Sequence, residues 1–416
     1  MNNHDPGAAR RGAPTLAEET DVKISRRQFL ALTAAGLAGA PPLALAAAPA
    51  AGDAADTSAA LPSAAAAASA AAPASQASAP SLADLADPPV WPGAEWERID
   101  PDKLGWSPDD LDDVHAYAAS IGTASLLIVQ HGRVVDSFGE IAARREINSV
   151  RKSLLSALIG IAVAEGKIDL DATLGSLGID DRPPALSQAE KQATVRELLQ
   201  ARSGVYHPAL YETAAEKRLR PARGSHAPGS FWYYNNWDFN VLGTIYEHAV
   251  GASIFDSFAQ RIATPIGMQD YRARDGRYVR GADSIHPAYP LHMSARDLAR
   301  FGLLYLRHGQ WRQRAIVPAA WVAESTTGVS PTRGGDAEYA WLWWAGLPDS
   351  GAAGLKLPPG AFWAEGRGGQ YLIVDPLNDM VVVHQTVAGR TRVSAPAMGR
   401  LMGLIHDAAG IGAPMV

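Results

Sequence analysis

Hydrophobic positions change their rhythm along this chain, and each rhythm predicts a different element. Ser125–Gln130 (SLLIVQ) and 133–138 (RVVDSF) are β-rich runs joined by His131-Gly132, a hairpin signal. Near the other end, 371–375 (YLIVD) and Met380–Gln385 (MVVVHQ) flank the turn Pro376-Leu377-Asn378-Asp379. Helical spacing appears elsewhere. Ser107-Pro108-Asp109-Asp110 supplies an N-cap, a proline at the first position and first-turn acids, and Leu111, Val114 and Tyr117 then share a face. The middle, from Asn148 to about Arg312, reads as mainly helical, with segments at 153–165, 194–201 and 294–307. The last of these opens Ser294-Ala-Arg-Asp297, a capping-box variant with Asp in place of Glu. A closing helix is predicted from Ser394 to about Ala409.

Two terminal hairpins around a helical middle predict an α+β fold. An antiparallel sheet is built from both chain ends (about 100–147 and 335–416), with flanking helices and a helical insertion domain (about 148–334). The seam between the two parts is where chemistry is expected.

The first ninety residues have no such rhythm. Arg26-Arg27 precedes an apolar, Ala-rich stretch, 29–48, broken by Pro41-Pro42, and 1–48 reads as a Tat-type signal peptide. Two central prolines make a poor spanning helix, so no stable membrane span is expected in the mature protein. Residues 49–90 are largely Ala, Ser, Pro, Gly and Asp, too poor in large apolar groups for a core, which predicts a disordered tether. The folded unit is therefore expected to span 91–416, in the periplasm or secreted.

Composition narrows the chemistry. Among 416 residues there is no cysteine, which excludes disulfides, thiolate metal sites, a cysteine nucleophile and an N-terminal lipid-anchored Cys. A net charge of −6 from 37 basic and 43 acidic residues gives no general footprint for nucleic acid. Neither His-Glu-x-x-His nor Gly-x-Ser-x-Gly occurs, which argues against a zinc hydrolase and an α/β-hydrolase elbow. His207, in Ser203-Gly-Val-Tyr-His, reads as a loop residue near the cleft.

Three pieces carry candidate chemistry. Among seven lysines only Lys152 has a serine three residues before it, Ser149. An apolar run follows and predicts a buried helix. Positions three apart share a helix face, so the amine can reach the hydroxyl, and burial lowers an amine's pKa toward that of a base. Second, Tyr234 and Asn236 stand two apart before a helix, which would present a phenol and an amide together. Third, Glu365-Gly-Arg367-Gly368-Gly369-Gln370 enters a strand, and glycines there allow backbone N–H groups close to a substrate.

In this order and spacing the chain resembles the serine beta-lactamase-related hydrolases: class C beta-lactamases, D-alanyl-D-alanine carboxypeptidases, family esterases and 6-aminohexanoate-dimer hydrolases. The likeness runs over about 100–406 and includes Glu165-Gly-Lys-Ile-Asp-Leu-Asp171, Thr194-Val-Arg-Glu-Leu-Leu199 and Pro265-Ile-Gly-Met268. The resemblance implies a beta-lactamase/DD-peptidase-like fold, with Ser149 as nucleophile and Lys152 its partner in proton transfer. Tyr234, rather than Tyr233, matches the Tyr of the family's Tyr-x-Asn element, by its spacing to Leu242-Gly243, and Asn236 matches the Asn that holds the substrate. Arg367-Gly368-Gly369 falls where penicillin-recognising relatives carry Lys-Thr-Gly or His-x-Gly. Backbone N–H groups of Ser149 and Gln370 would form the oxyanion hole, and no cofactor is implied. Arg for Lys and Gly for Thr remove the pair that commonly grips a beta-lactam carboxylate, which moves weight toward an esterase or linear-amide hydrolase.

The expected function is an exported serine hydrolase acting on a small-molecule amide or ester through a Ser149 acyl-enzyme, with the Tat export machinery as partner. The alternatives are a D-alanyl-D-alanine carboxypeptidase, a beta-lactamase, or a catalytically silent binder of cell-wall peptide. Of the tryptophans around the motifs (Trp232, Trp237, Trp363 and Trp341, Trp343, Trp344), at least half are expected in the core and the rest in the cleft.

Overall fold

A computed structural model of the chain describes residues 89–412, except 333, 388, 390 and 391. The predicted signal peptide and all but the last two residues of the predicted tether lie outside the described residues. Among the described residues no helix is long and apolar enough to cross a membrane.

The chain first forms α1 (Pro108–Ser120), with Ser107 Oγ accepting the Asp110 N–H at 3.2 Å. Strands β1 (Ser125–Gln130) and β2 (Arg133–Gly139) then pair antiparallel. His131 and Gly132 join them with φ of 51° and 75°, the left-handed pair a tight hairpin needs. Helices α2 (Arg151–Ala164), α3 (Val195–Leu199), α4 (Ala214–Leu219), α5 (Asn236–Val250), α6 (Ile254–Phe258), α7 (Ala295–Leu306) and α8 (Ala319–Thr326) follow. Two small antiparallel ladders lie among them, β3 (Arg145–Glu146) with β4 (His292–Met293) and β5 (Gln310–Trp311) with β6 (Arg314–Ala315). The sheet resumes with β7 (Ser330–Pro331), β8 (Glu338–Tyr339), β9 (Trp344–Ala345), β10 (Phe362–Gly366), β11 (Gln370–Asp375) and β12 (Met380–Gln385), before α9 (Ala395–Ala408) closes the described chain.

The eight-stranded sheet has the order β2-β1-β12-β11-β10-β9-β8-β7. Its two halves join where β1 pairs antiparallel with β12, Ser125 opposite Gln385 and Gln130 opposite Met380. Side chains alternate across a strand, and here both faces are covered. Leu126, Ile128, Ile373 and Val382 face α1 and α9 in one apolar cluster. Leu127, Val129, Leu372, Val374, Val381 and Val383 belong to the other, with α2, α5 and α7. Burial on both faces explains why these strands are continuous apolar runs rather than alternating ones.

Some expectations are corrected in detail. The sheet resumes at Ser330, a few residues before the expected boundary. The helix expected at 194–201 is the shorter Val195–Leu199, held by a complete Thr194–Glu197 capping box. At α7, Ser294 Oγ accepts the Asp297 N–H, but the Asp297 carboxylate does not complete the box. It accepts the N–H groups of Gln269, Asp270 and Tyr271 at 2.7–2.9 Å, so a short acid that could serve its own cap instead pins a neighbouring loop.

Candidate active site

Ser149 sits in a single 3₁₀ turn, Asn148–Val150, that runs directly into α2. In such a turn residues three apart eclipse one another, and Lys152 Nζ donates to Ser149 Oγ at 2.7 Å. Helix α2 is buried almost throughout. Its two internal hydroxyls are satisfied by carbonyls, Ser153 Oγ by Leu342 O and Ser156 Oγ by Trp341 O. Lys152 is therefore held at 2% exposure.

The same amine donates to Tyr234 OH at 2.6 Å, so one nitrogen bridges the hydroxyl and the phenol. Burial is the largest influence on both groups and acts in opposite senses, because it disfavours whichever form is charged. It carries the Lys152 amine well below its usual value, helped by the Arg151 charge and opposed by Glu216. It raises the Tyr234 phenol, against the Ser149 hydrogen bond and the Arg151 charge. Burial thus disfavours the charged form of both groups, lowering the amine and raising the phenol.

Tyr234 precedes α5, and a buried hydrogen-bond network holds the segment. Asn235 caps the helix through Oδ1, which accepts the Trp237 N–H at 3.1 Å. Its Nδ2 donates to Val205 O and to Asp238 Oδ1. Ser203 Oγ donates to the same Asp238 oxygen at 2.5 Å and accepts the Val205 N–H. Asp238 is wholly buried, and burial raises its carboxyl well above the usual range. Through Oδ1 the Asp238 carboxyl therefore ties the Tyr234 segment to the 203–205 loop.

The hairpin from β10 to β11 forms the opposite wall. Both strands pack on the Asn148–Val150 turn, and Asn148 Nδ2 donates to Arg367 O at 2.9 Å. Gly368 and Gly369 turn the chain with φ of 89° and 102°. Gly368 O accepts from Val393 N and Thr386 Oγ1, while His384 Nδ1–H donates to Gly369 O at 2.7 Å. Gln370 opens β11 opposite Gly366. Its side chain is held by β12's end, Nε2 donating to Thr386 O and Oγ1.

Between these walls lies a cleft of about 510 Å³, lined by Ser149, Tyr234 and Arg367 together with Thr213–Glu216, Trp344, Glu365 and Arg392. The structure brings Ser149, Lys152 and Tyr234 into direct contact and places Arg367 beside them. Gly368, Gly369 and Gln370 shape the edge without lining the cleft. Asn236 is the first residue of α5 and 5% exposed, and its Nδ2 reaches Tyr211 O and Glu216 Oε1, both at 3.4 Å. Glu216 lines the same cleft as Tyr234, so the Asn236 amide is held at the cleft's margin on the helical side. His207 is buried against Glu190 and Trp237, away from the cleft lining. Of the tryptophans, Trp237, Trp341, Trp343 and Trp363 are core. Trp344 lines the cleft, its ring nearly parallel to that of Tyr234 at 5.8 Å.

Sequence reasoning assigned no role to Glu216, Glu365 or Arg392. Glu216 is visible in the sequence only as the second half of a Thr-x-x-Glu cap. Glu365 stands inside the Gly-rich motif, and its carboxyl is raised chiefly by burial. Arg392 follows β12 in a segment without any motif, and no local signal could have found it.

A Ser-x-x-Lys pair with its lysine buried, completed by a phenol, defines a serine hydrolase. The sequence profile of the Beta-lactamase family matches residues 110–405, and the chain belongs to that family, whose members are serine hydrolases. Among curated proteins, Esterase EstB of Burkholderia gladioli is 25% identical over 207 residues, 42% of this chain and 53% of that protein. The match therefore spans about half the length of that relative. Among solved structures, a Bacillus anthracis protein assigned as a 6-aminohexanoate-dimer hydrolase superposes with a TM-score of 0.54 at 22% identity, over 71% of this chain and 80% of the other. A penicillin-binding protein homologue of Caulobacter crescentus gives 0.55 at 17% identity, over 74% and 98%. At these identities the two structures speak for the fold alone.

Proposed function

We propose that this chain is an exported hydrolase that cleaves a linear amide or ester through an acyl-enzyme on Ser149. One observation carries the reading: Lys152 Nζ lies between Ser149 Oγ and Tyr234 OH, at 2.7 and 2.6 Å. With the amine neutral, the Ser149 hydroxyl can donate to the Nζ lone pair and give up its proton as Oγ attacks the substrate carbonyl. The oxyanion is met by the backbone N–H groups of Ser149 and Gln370. Lys152 returns the proton through Tyr234 to the leaving nitrogen or oxygen as that bond breaks. Water then attacks the acyl carbonyl, giving its proton to the same pair, which passes it to Ser149 Oγ as the acyl–Oγ bond breaks and the acid leaves.

Substrate class is read from the cleft. Trp344 offers an apolar face, and burial of an acyl chain there contributes about 0.8 kcal/mol per methylene. The esterase relative supports the ester half of the reading. A second reading, D-alanyl-D-alanine carboxypeptidase or beta-lactamase, is favoured by Arg367 and Arg392, two guanidinium groups in the lining able to meet a carboxylate. Comparison of kcat/KM for short p-nitrophenyl esters, linear amide oligomers and nitrocefin separates the two. The first reading expects esters or amides to be favoured at least about tenfold, a difference of roughly 1.4 kcal/mol. Faster turnover of nitrocefin would put the second in its place.

A further inference from the structure

A second concavity, of about 420 Å³, shares no lining residue with the cleft at Ser149. Its walls are the 92–94 segment, 264–267 and the hairpin of β5 and β6, and its charged lining residues are all arginines: Arg300, Arg312 and Arg314. Arg312 occupies the hairpin turn with φ of 56°, and Arg314 opens β6; both are exposed.

Arg300 is unlike them. It lies on α7 with no exposed surface. Its guanidinium donates to three main-chain carbonyls, Ile266 O at 3.1 Å, Gly93 O at 2.8 Å and Ala94 O at 3.2 Å, while its Nε has no hydrogen-bond partner. Carbonyls satisfy donors but carry no net charge, and a buried charge ordinarily has a counter-ion. Asp297 and Glu95 act on Arg300 through space, and the Trp96 ring faces its guanidinium at 5.4 Å, but no carboxylate is hydrogen-bonded to it. The Asp297 carboxylate accepts three backbone N–H groups, and Glu95 is an exposed side chain 3.6 Å from Arg296. A concave site with three guanidinium groups and no lining carboxylate is therefore built for an anion.

We propose that this cavity is a phosphoryl-binding site, with Arg312 and Arg314 as its exposed clamps above the buried charge of Arg300. A carboxylate has two oxygens and fills one guanidinium fork. A phosphoryl dianion has three or more acceptor oxygens and can meet several forks at once. The volume exceeds that of orthophosphate alone, so the group is carried on a larger molecule. The proposal does not depend on the reaction at Ser149.

The test is isothermal titration of the full chain with sodium phosphate at constant ionic strength, with sodium chloride as the control. Arg300→Gln would endanger the fold, so the variant is Arg312→Gln/Arg314→Gln, its fold verified by circular dichroism. Saturable one-site binding of phosphate is expected, weakened roughly tenfold or more in the double variant. Absence of saturable binding, or equal affinity in the double variant, would overturn the site. Sedimentation with phosphatidylcholine vesicles, with and without phosphatidic acid, identifies the source. Vesicle binding that phosphate displaces assigns the group to a lipid headgroup; phosphate binding without vesicle binding assigns it to a soluble phosphoryl compound. Either result keeps the site.

Discussion

Lys152 gives up stability for reactivity, and the two effects can be measured apart. Its folded pKa lies below the 10.5 of the free side chain. Between these values the unfolded chain binds more protons than the folded one, so stability rises with pH there and the lysine costs stability below that window. Lys152→Met, an apolar chain of similar length, should be at least as stable as the wild type at pH 7. Its advantage should shrink as pH approaches 10.5, while turnover falls about 10²-fold or more. Thermal melts across pH 6–10 check the stability half, and the acid limb of the wild-type kcat/KM profile checks the base. That limb should lie well below pH 10.5, with activity lost as pH falls through the lysine's lowered pKa. At this scale the sequence was most legible for Ser149 and Lys152, because a three-residue spacing and an apolar run are local facts. For Asn236 the sequence could not show the amide's partners, Tyr211 and Glu216, which lie far from it in the chain.

Elements meet at the serine turn with little room. A Cβ added to Gly366 would stand 2.4 Å from Ile147 O and 3.2 Å from Asn148 Cβ. Gly366→Ala must therefore push β10 off the turn that carries Ser149. The expected cost is about 1–3 kcal/mol in stability and about 10²-fold in kcat/KM, since an ångström of misplacement is enough. Denaturation and steady-state kinetics on the same preparation separate the two, and wild-type turnover would show that this contact does not position the serine. The long elements of the sheet were readable from their apolar runs, α1 and α7 from their caps, and α9 as the helical segment that closes the chain. The two-residue strands β7, β8 and β9 were not, because pairing with neighbours defines them and too few residues carry a period. The Asp297 cap was misread for a related reason: its partners belong to a loop some 27 residues away in sequence.

At the scale of the whole molecule, the β1–β12 pairing brings the two ends of the catalytic domain together, and the helical middle is hung between them. The seam between sheet and helical part contains the cleft, as the order of hairpins and helices implied. What the sequence could not assemble was the charge around that cleft. Glu216, the Glu365–Arg367 pair and Arg392 come from three separate segments and meet only in the fold. Export belongs to this scale as well. Arg26 and Arg27 precede the apolar stretch, and Arg26→Lys/Arg27→Lys is expected to retain the precursor inside the cell while wild type leaves it; unchanged fractionation would remove the Tat assignment.

The central claim is a covalent one, that the acyl group of the substrate passes through Ser149 Oγ. Intact-protein and peptide mass spectrometry after a brief incubation with an activated p-nitrophenyl ester tests it most directly. The account predicts one acyl adduct, located on the peptide containing Ser149, absent from Ser149→Ala and longer-lived in Tyr234→Phe, where the path for deacylation is cut. An adduct on another residue, or ester turnover by Ser149→Ala at a rate near the wild type, would contradict it.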